Sequence, residues 1–284
     1  MEVIVGKLAG FCAGVHRAVE NSNKVVEENG KVYCLGELVH NREVVNELES
    51  KGMVTIENIE EVEDNSTVIF RAHGVTKEIY EIAKNKNLNI IDLTCINVLE
   101  VHKKIEKESE DAFIILIGDK NHPEVIGSVS FAKNGYYVVQ EQSDILDAYM
   151  EYEKNYIGKV KVFAQTTFSL TKFDDLVDEI NDNFVEAEVN VFNTICLATS
   201  SRQAEMIKMS KELDNLIIVG GKNSANTKKL VDISKENCRN VYHVQTVDDL
   251  KEIDFSDVDK IGIMAGASTP KSSIEKIKEY IDSL

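Results

Sequence analysis

The chain has 284 residues, 43% of them hydrophobic and 29% charged, with a formal net charge of −17. That length and apolar content suit two or three modules or one large α/β body with a real core, while the negative balance excludes a nucleic-acid partner, whose phosphates require clustered Lys and Arg. No apolar run is long enough to span a bilayer, MEVIVGKLAG opens as a strand rather than as a signal peptide, and five cysteines form no even disulfide set, so a soluble cytoplasmic protein without a membrane partner is expected.

In chain order, β-branched runs predict strands at Val3–Lys7, Val32–Leu35, Val68–Arg71, Asn89–Asp92, Phe113–Ile117, Tyr136–Val139, Val160–Ala164, Val189–Phe192, Leu216–Val219, Val241–Val244 and Ile261–Met264. Helical periodicity falls between them, at Val15–Glu28, Arg42–Lys51, Lys77–Lys84, Leu99–Glu110, Lys172–Asp182, Ser200–Leu213 and Ser273–Ser283. The first of these puts Val15, Ala18, Val19, Val25 and Val26 on one side, and Gly30 stands just beyond its end as a stop. The two prolines, Pro123 and Pro270, fall at strand-to-helix junctions, where a proline is tolerated. Such alternation predicts βαβ units with parallel sheets. The charged stretches Glu57–Asn65 and Ala148–Lys159 read as solvated connections.

Three cysteines stand where a predicted strand gives way to a predicted helix: Cys12 in GFCAGV, Cys95 in DLTC and Cys196 in NTIC. Each opens about a third of the chain. Thiolates that converge from equivalent strand ends are usually metal ligands. Zinc and common iron–sulfur sites take four protein ligands, so a single three-thiol site leaves one coordination position for a reactant. Cys34, mid-strand, and Cys238, near a helix end, read as small buried hydrophobes. His16, His102 and His243 read as ordinary core or surface residues.

Ligands of open α/β sheets sit beyond the carboxyl ends of the strands. Those ends carry His40 in LVHN, His73 in FRAHGV, His122 and Glu124 in NHPEV, Thr166 and Thr167 in QTTFS, Ser224 and Asn226 in VGGKNSANT, and Ser268 and Thr269 in AGASTP. By thirds, His40 and His73, then His122 and Thr166, then Ser224 and Ser268 give a weak threefold repetition. It predicts three related α/β modules, 1–95, 96–195 and 196–284, with the N-terminal strand joining the third. The Gly220-Gly221 loop followed by SANT is of the type that cradles phosphate at a helix start.

Taken in this order, these segments resemble, over nearly the whole chain, the 4-hydroxy-3-methylbut-2-enyl diphosphate reductase family of the non-mevalonate isoprenoid pathway. The resemblance implies a pseudo-threefold α/β trefoil around a central [4Fe–4S] cluster held by Cys12, Cys95 and Cys196. Its fourth iron would be open to the substrate hydroxyl. It implies that His40, His73, His122, Ser224, Asn226 and Ser268 surround the diphosphate, that Glu124 delivers a proton and that Thr166 helps relay and orient it. It also implies an oxidoreductase producing isopentenyl and dimethylallyl diphosphate, with electrons from a ferredoxin or flavodoxin.

Three positions depart from the family pattern: Ile96 where proline is common, Asn121 where glycine is common, and Ala225 where a second serine is usual. The last removes one side-chain hydrogen bond to diphosphate, about 1 kcal/mol of affinity. Rival readings are a quinolinate-synthase-like [4Fe–4S] lyase, which calls for arginines facing carboxylates; a cluster-bearing electron carrier or redox sensor, which needs no array of donors; and a metal-free phosphosugar-binding module, which leaves the three cysteines unexplained.

Overall fold

The computed structural model describes residues 1–154 and 158–284. In chain order the elements begin with β1 (Glu2–Val5) and α1 (Ala13–Asn29). A first run follows: β2 (Val32–Leu35), α2 (Arg42–Ser50), β3 (Met53–Ile56), β4 (Thr67–Phe70), α3 (Lys77–Asn85), β5 (Asn89–Asp92) and α4 (Ile96–Glu108). A second comprises β6 (Phe113–Ile117), α5 (Pro123–Val129), β7 (Tyr136–Val139), α6 (Ile145–Lys154), β8 (Lys159–Ala164), α7 (Leu170–Asn183), β9 (Glu188–Val191) and α8 (Leu197–Glu212). The last is β10 (Asn215–Val219), α9 (Ala225–Lys235), β11 (Asn240–Val244), β12 (Lys260–Ala265) and α10 (Lys271–Asp282).

These strands form three four-stranded parallel sheets, ordered β3-β2-β4-β5, β7-β6-β8-β9 and β11-β10-β12-β1. One pattern recurs: the first strand of each set lies inside, flanked by the second and third, and the fourth takes the edge beside the third. In the last sheet the fourth strand is β1, paired in register from Glu2 with Lys260 to Val5 with Ile263. The fold is α/β, in three modules of one topology. The chain divides into two compact units. One holds Met1–Val19, Val39–Glu47 and Leu197–Leu284 with the β1-containing sheet; the other holds Glu20–Leu38 and Leu48–Cys196 with the remaining two sheets.

Central strands are buried on both faces, as parallel sheets with helical crossovers require. Because side chains alternate along a strand, the sheet of β6 and β8 sends Phe113, Ile115, Ile117, Val160 and Val162 to one side, against α6 and α7. Ile114, Leu116 and Phe163 go to the other side, against Val101 and Ile105 of α4 and Val125 and Val129 of α5. In the first unit Ile217, Ile261 and Ile263 meet Ile274 and Ile277 of α10, while Leu216, Ile218 and Met264 meet Met206 of α8 and Leu230 of α9. Each such side chain contributes about 1.5–3 kcal/mol.

Two local expectations change, and the third, the solvated connection Glu57–Asn65, holds apart from two buried residues. Met53–Ile56 is a strand that four residues without alternating polarity did not announce; only its ends, Met53 and Ile56, are buried. Ala148–Lys159 is largely not a solvated connection: α6 runs to Lys154 with Ala148 and Tyr152 buried in the core, β8 begins at Lys159, and residues 155–157 lie outside the described residues. Within Glu57–Asn65, Asn58 and Glu61 form a reciprocal capping box around a 3₁₀ turn, and Ile59 and Val62 are buried. Acidic composition marked these segments as solvated, but a few apolar residues at the right spacing anchor them.

Candidate functional site

The threefold pattern continues beyond the strand ends, residue for residue. Each of the three cysteines immediately precedes a helix: α1 starts at Ala13, α4 at Ile96 and α8 at Leu197. The backbone N–H of each donates to the carbonyl two residues past the end of the third strand in its own sheet. Cys12 donates to Ala267 (3.2 Å), Cys95 to Ala72 (3.0 Å) and Cys196 to Thr166 (3.0 Å). The carbonyls of Cys12 and Cys95 also accept the first helical bonds, from His16 and Leu99, as N-cap residues do. In α1 the N–H of Val15 points at Cys12 Sγ (3.5 Å). All three are partly exposed, whereas Cys34 and Cys238 are buried. Each thiol stands at a helix start, where the dipole favours the thiolate, the form that binds metal.

The loops after the first strands match too. His40, His122 and Ser224 each stand five residues beyond the last residue of β2, β6 and β10; Arg42, Glu124 and Asn226 stand seven beyond. After the third strands, the residues at the third position are His73, Thr167 and Ser268. Thr166, which the thirds of the sequence grouped with His73 and Ser268, therefore corresponds to Ala72 and Ala267.

In the larger unit, His122 caps α5: its Nδ1 accepts from the Glu124 N–H (3.1 Å), leaving Nε2 as the donor. The ring of His73 lies edge-on to that of His122, with centroids 5.4 Å apart. Glu124, 3% exposed, receives the Thr166 N–H (2.5 Å) and the Thr166 hydroxyl (2.9 Å). Burial pushes its carboxyl up to about 7, against both Thr166 hydrogen bonds, which favour the anion. A carboxyl titrating near neutrality is suited to proton transfer.

In the smaller unit, the Ser224 hydroxyl caps α9 by accepting from the Thr227 N–H. The Ser268 hydroxyl donates to the His40 carbonyl (3.2 Å), and Thr269 donates to the Val219 carbonyl (3.0 Å). Gly221 is glycine for lack of room: a Cβ there falls 2.6 Å from the His40 carbonyl oxygen. The Asn226 amide nitrogen and the Thr227 hydroxyl are buried and have no partner among the described residues. An unpaired buried donor costs about 1–3 kcal/mol, so an amide held this way at a helix start fits an anionic ligand. Imidazole, hydroxyl and carboxamide groups make a neutral set of phosphate-type donors.

Sequence reasoning named Thr269 but missed Thr227 and Arg71. Arg71 is half-buried, and its guanidinium occupies the space that a Cβ on Gly36 needs, 1.9 Å from Nη1. Only its place inside FRAHGV hinted at this.

Three α/β modules of one topology, each with one cysteine at a helix start, define the class of fold. The chain belongs to the LytB protein family, whose model matches residues 3–282, and is an oxidoreductase. It is 40% identical over its full length to 97% of the 4-hydroxy-3-methylbut-2-enyl diphosphate reductase of Aquifex aeolicus, and 37% identical to 98% of the reductase of that name from a Geobacter species. Its fold is similar to that of the E-1-hydroxy-2-methyl-but-2-enyl-4-diphosphate reductase of Plasmodium falciparum, with a TM-score of 0.90, 33% identity and coverage of 100% of this chain and 87% of that one. A second solved structure, of (E)-4-hydroxy-3-methyl-but-2-enyl diphosphate reductase, matches with a TM-score of 0.71 and 40% identity, each chain fully covered. Among the described residues, no helix is long and apolar enough to cross a membrane.

Proposed function

We propose that the chain reduces 4-hydroxy-3-methylbut-2-enyl diphosphate to isopentenyl and dimethylallyl diphosphate, with Cys12, Cys95 and Cys196 together holding a [4Fe–4S] cluster. The observation that carries this reading is Glu124, a buried carboxyl poised near neutrality between Thr166 and the cap of its own helix. The reaction replaces a C–O bond by a C–H bond: two electrons and two protons enter, and water leaves. Hydroxide is a poor leaving group, so a proton donor at that oxygen lowers the barrier. When bound, a three-thiolate cluster supplies electrons and a Lewis-acidic iron with a free position.

The chain's own residues do the rest. Glu124 is the acid for the leaving oxygen. Thr166 fixes the carboxyl through two hydrogen bonds, one to each oxygen. His122 presents Nε2–H, and with His40, His73, Ser224, Asn226 and Ser268 it binds the diphosphate through neutral donors. Ala225 offers its backbone N–H alone. Electrons come from a ferredoxin- or flavodoxin-type carrier, and the active protein is cytoplasmic. The lyase alternative is disfavoured by this donor set and by the names of the full-length relatives. Anaerobically purified protein mixed with reduced viologen dye tests the activity. Dye oxidation that depends on the hydroxylated C5 diphosphate supports it; a brown, iron-loaded protein indifferent to that compound refutes it.

A further inference from the structure

We propose that His102 is a positioning residue for Glu124, holding with Ser128 a buried water behind α5. The inference rests on the reading of Glu124 as proton donor and extends it to residues that touch no substrate.

His102 lies on α4, seven residues after Cys95, and is 3% exposed. Its ring stacks on Phe131, with centroids 4.5 Å apart and planes at 22°. The same ring fills the space beside Gly74, the residue after His73. A Cβ on Gly74 falls 2.9 Å from His102 Cε1 and 3.3 Å from the Thr94 methyl, next to Cys95. Gly74 has φ +80°, a conformation suited to glycine. On the other side, the Cβ position of Gly127 is 3.7 Å from His102 Nε2 and 3.3 Å from the Val75 carbonyl. One imidazole thus fills the space between the His73 loop, the strand end before Cys95 and the helix that carries Glu124.

That helix is braced at both ends. Glu124 is bound to Thr166, and Ser130 just past the other end accepts the Lys77 N–H (2.9 Å). Glu124, Gly127 and Ser128 are spaced i, i+3 and i+4 within α5, which places them along one face, and Phe131 follows two residues past the helix end. His102 packs against this face at Gly127 and against Phe131 beyond it.

Neither nitrogen of His102 has a hydrogen-bond partner among the described residues, and neither does the buried Ser128 hydroxyl one turn from Glu124. Buried polar atoms in this state are normally satisfied by ordered water. Burial also lowers the His102 pKa to about 4, so the imidazole is neutral and offers one donor and one acceptor. The titratable groups around this region are Asp92, which acts on His102 from the end of β5, and His73 and His122 on the two adjoining loops.

The test uses anaerobically reconstituted protein with kcat expressed per iron-loaded chain. His102→Phe keeps the stacked ring and removes both nitrogens. The expected result is a kcat lower on the order of tenfold, since small misplacement of a catalytic group is costly, with KM within about twofold. His102→Gln, whose amide reaches the same water, recovers most of that loss. A purely structural residue would lower Tm and iron loading and leave kcat per loaded chain unchanged; that outcome overturns the proposal. If His102→Phe does not load iron, Ser128→Ala decides. A severalfold fall in kcat supports the proposal, and an unchanged kcat overturns it. A crystal structure of the cluster-free protein gives a readout independent of activity: a water within hydrogen-bond reach of both His102 Nε2 and Ser128 Oγ is expected, and direct pairing of both with protein groups is contradictory. Full activity of Glu124→Gln sinks the proton-donor reading itself while leaving that water in place, so the two failures are distinct.

Discussion

Replacing Glu124 by Gln should stop turnover and, at alkaline pH, stabilise the protein. The carboxyl is buried, and its pKa is raised from 4.5 to about 7. The folded chain therefore holds this proton more tightly than the unfolded chain does. Between those two values the native state binds more protons, so stability falls as pH rises through the window and is lowest above about 7. At 1.36 kcal/mol per pKa unit, the ionised carboxylate costs the fold about 3 kcal/mol at pH 8 relative to pH 4. Glutamine keeps the shape and still accepts the Thr166 N–H, but carries no charge. Urea unfolding of cluster-free protein measures the difference across the pH range. Glu124→Gln should be near parity with the parent protein close to pH 4.5 and more stable by about 3 kcal/mol at pH 8, with dye-coupled turnover largely lost throughout. In the parent protein, kcat should decline as pH rises through about 7 because the acid form is the active one. A stability difference that does not vary with pH, or a glutamine variant that turns over normally, refutes the reasoning.

Cys12→Ser, Cys95→Ser and Cys196→Ser should each lose bound iron, whereas Cys34→Ser and Cys238→Ala should keep it; metal analysis after anaerobic purification decides. In the folded protein Cys34 should resist alkylation at neutral pH, because burial pushes its thiol up to about 12. Asn226→Ala should raise KM by about ten- to a hundredfold, the worth of one hydrogen bond to a charged group, with kcat retained. Its effect on Tm should be small, since its amide nitrogen has no protein partner among the described residues to lose. Gly221→Ala should destabilise by about 1–3 kcal/mol and raise KM, because the new Cβ meets the His40 carbonyl oxygen and the loop carrying Ser224 must move; urea midpoints and steady-state kinetics check both.

Much of the fold was legible because parallel strands buried on both faces read as short β-branched runs, and all eleven such runs fall within two residues of observed strand bounds or coincide with them, Phe113–Ile117 and Val32–Leu35 among them. The short strand Met53–Ile56 was not, since an edge strand with only two buried side chains leaves almost no pattern. The helix Ile145–Lys154 was hidden by its charges, although Ala148 and Tyr152 stand four apart on its buried face. Within the site, cysteine positions showed that the modules are related, but the register between modules did not. Ala72, Thr166 and Ala267 share a backbone role through their carbonyls, which side-chain identity does not encode. For the same reason His102 passed as an ordinary core residue: its significance lies in Gly74, a glycine distant in sequence whose missing side chain makes room for its ring.

The most direct test of the account is EPR of the reduced, anaerobically purified protein, with iron counted in the same sample, before and after addition of 4-hydroxy-3-methylbut-2-enyl diphosphate. About four irons per chain and a cluster signal that changes on addition are expected from three thiolates leaving one iron open to the substrate. Iron bound in full with a signal that the diphosphate leaves unaltered would contradict it.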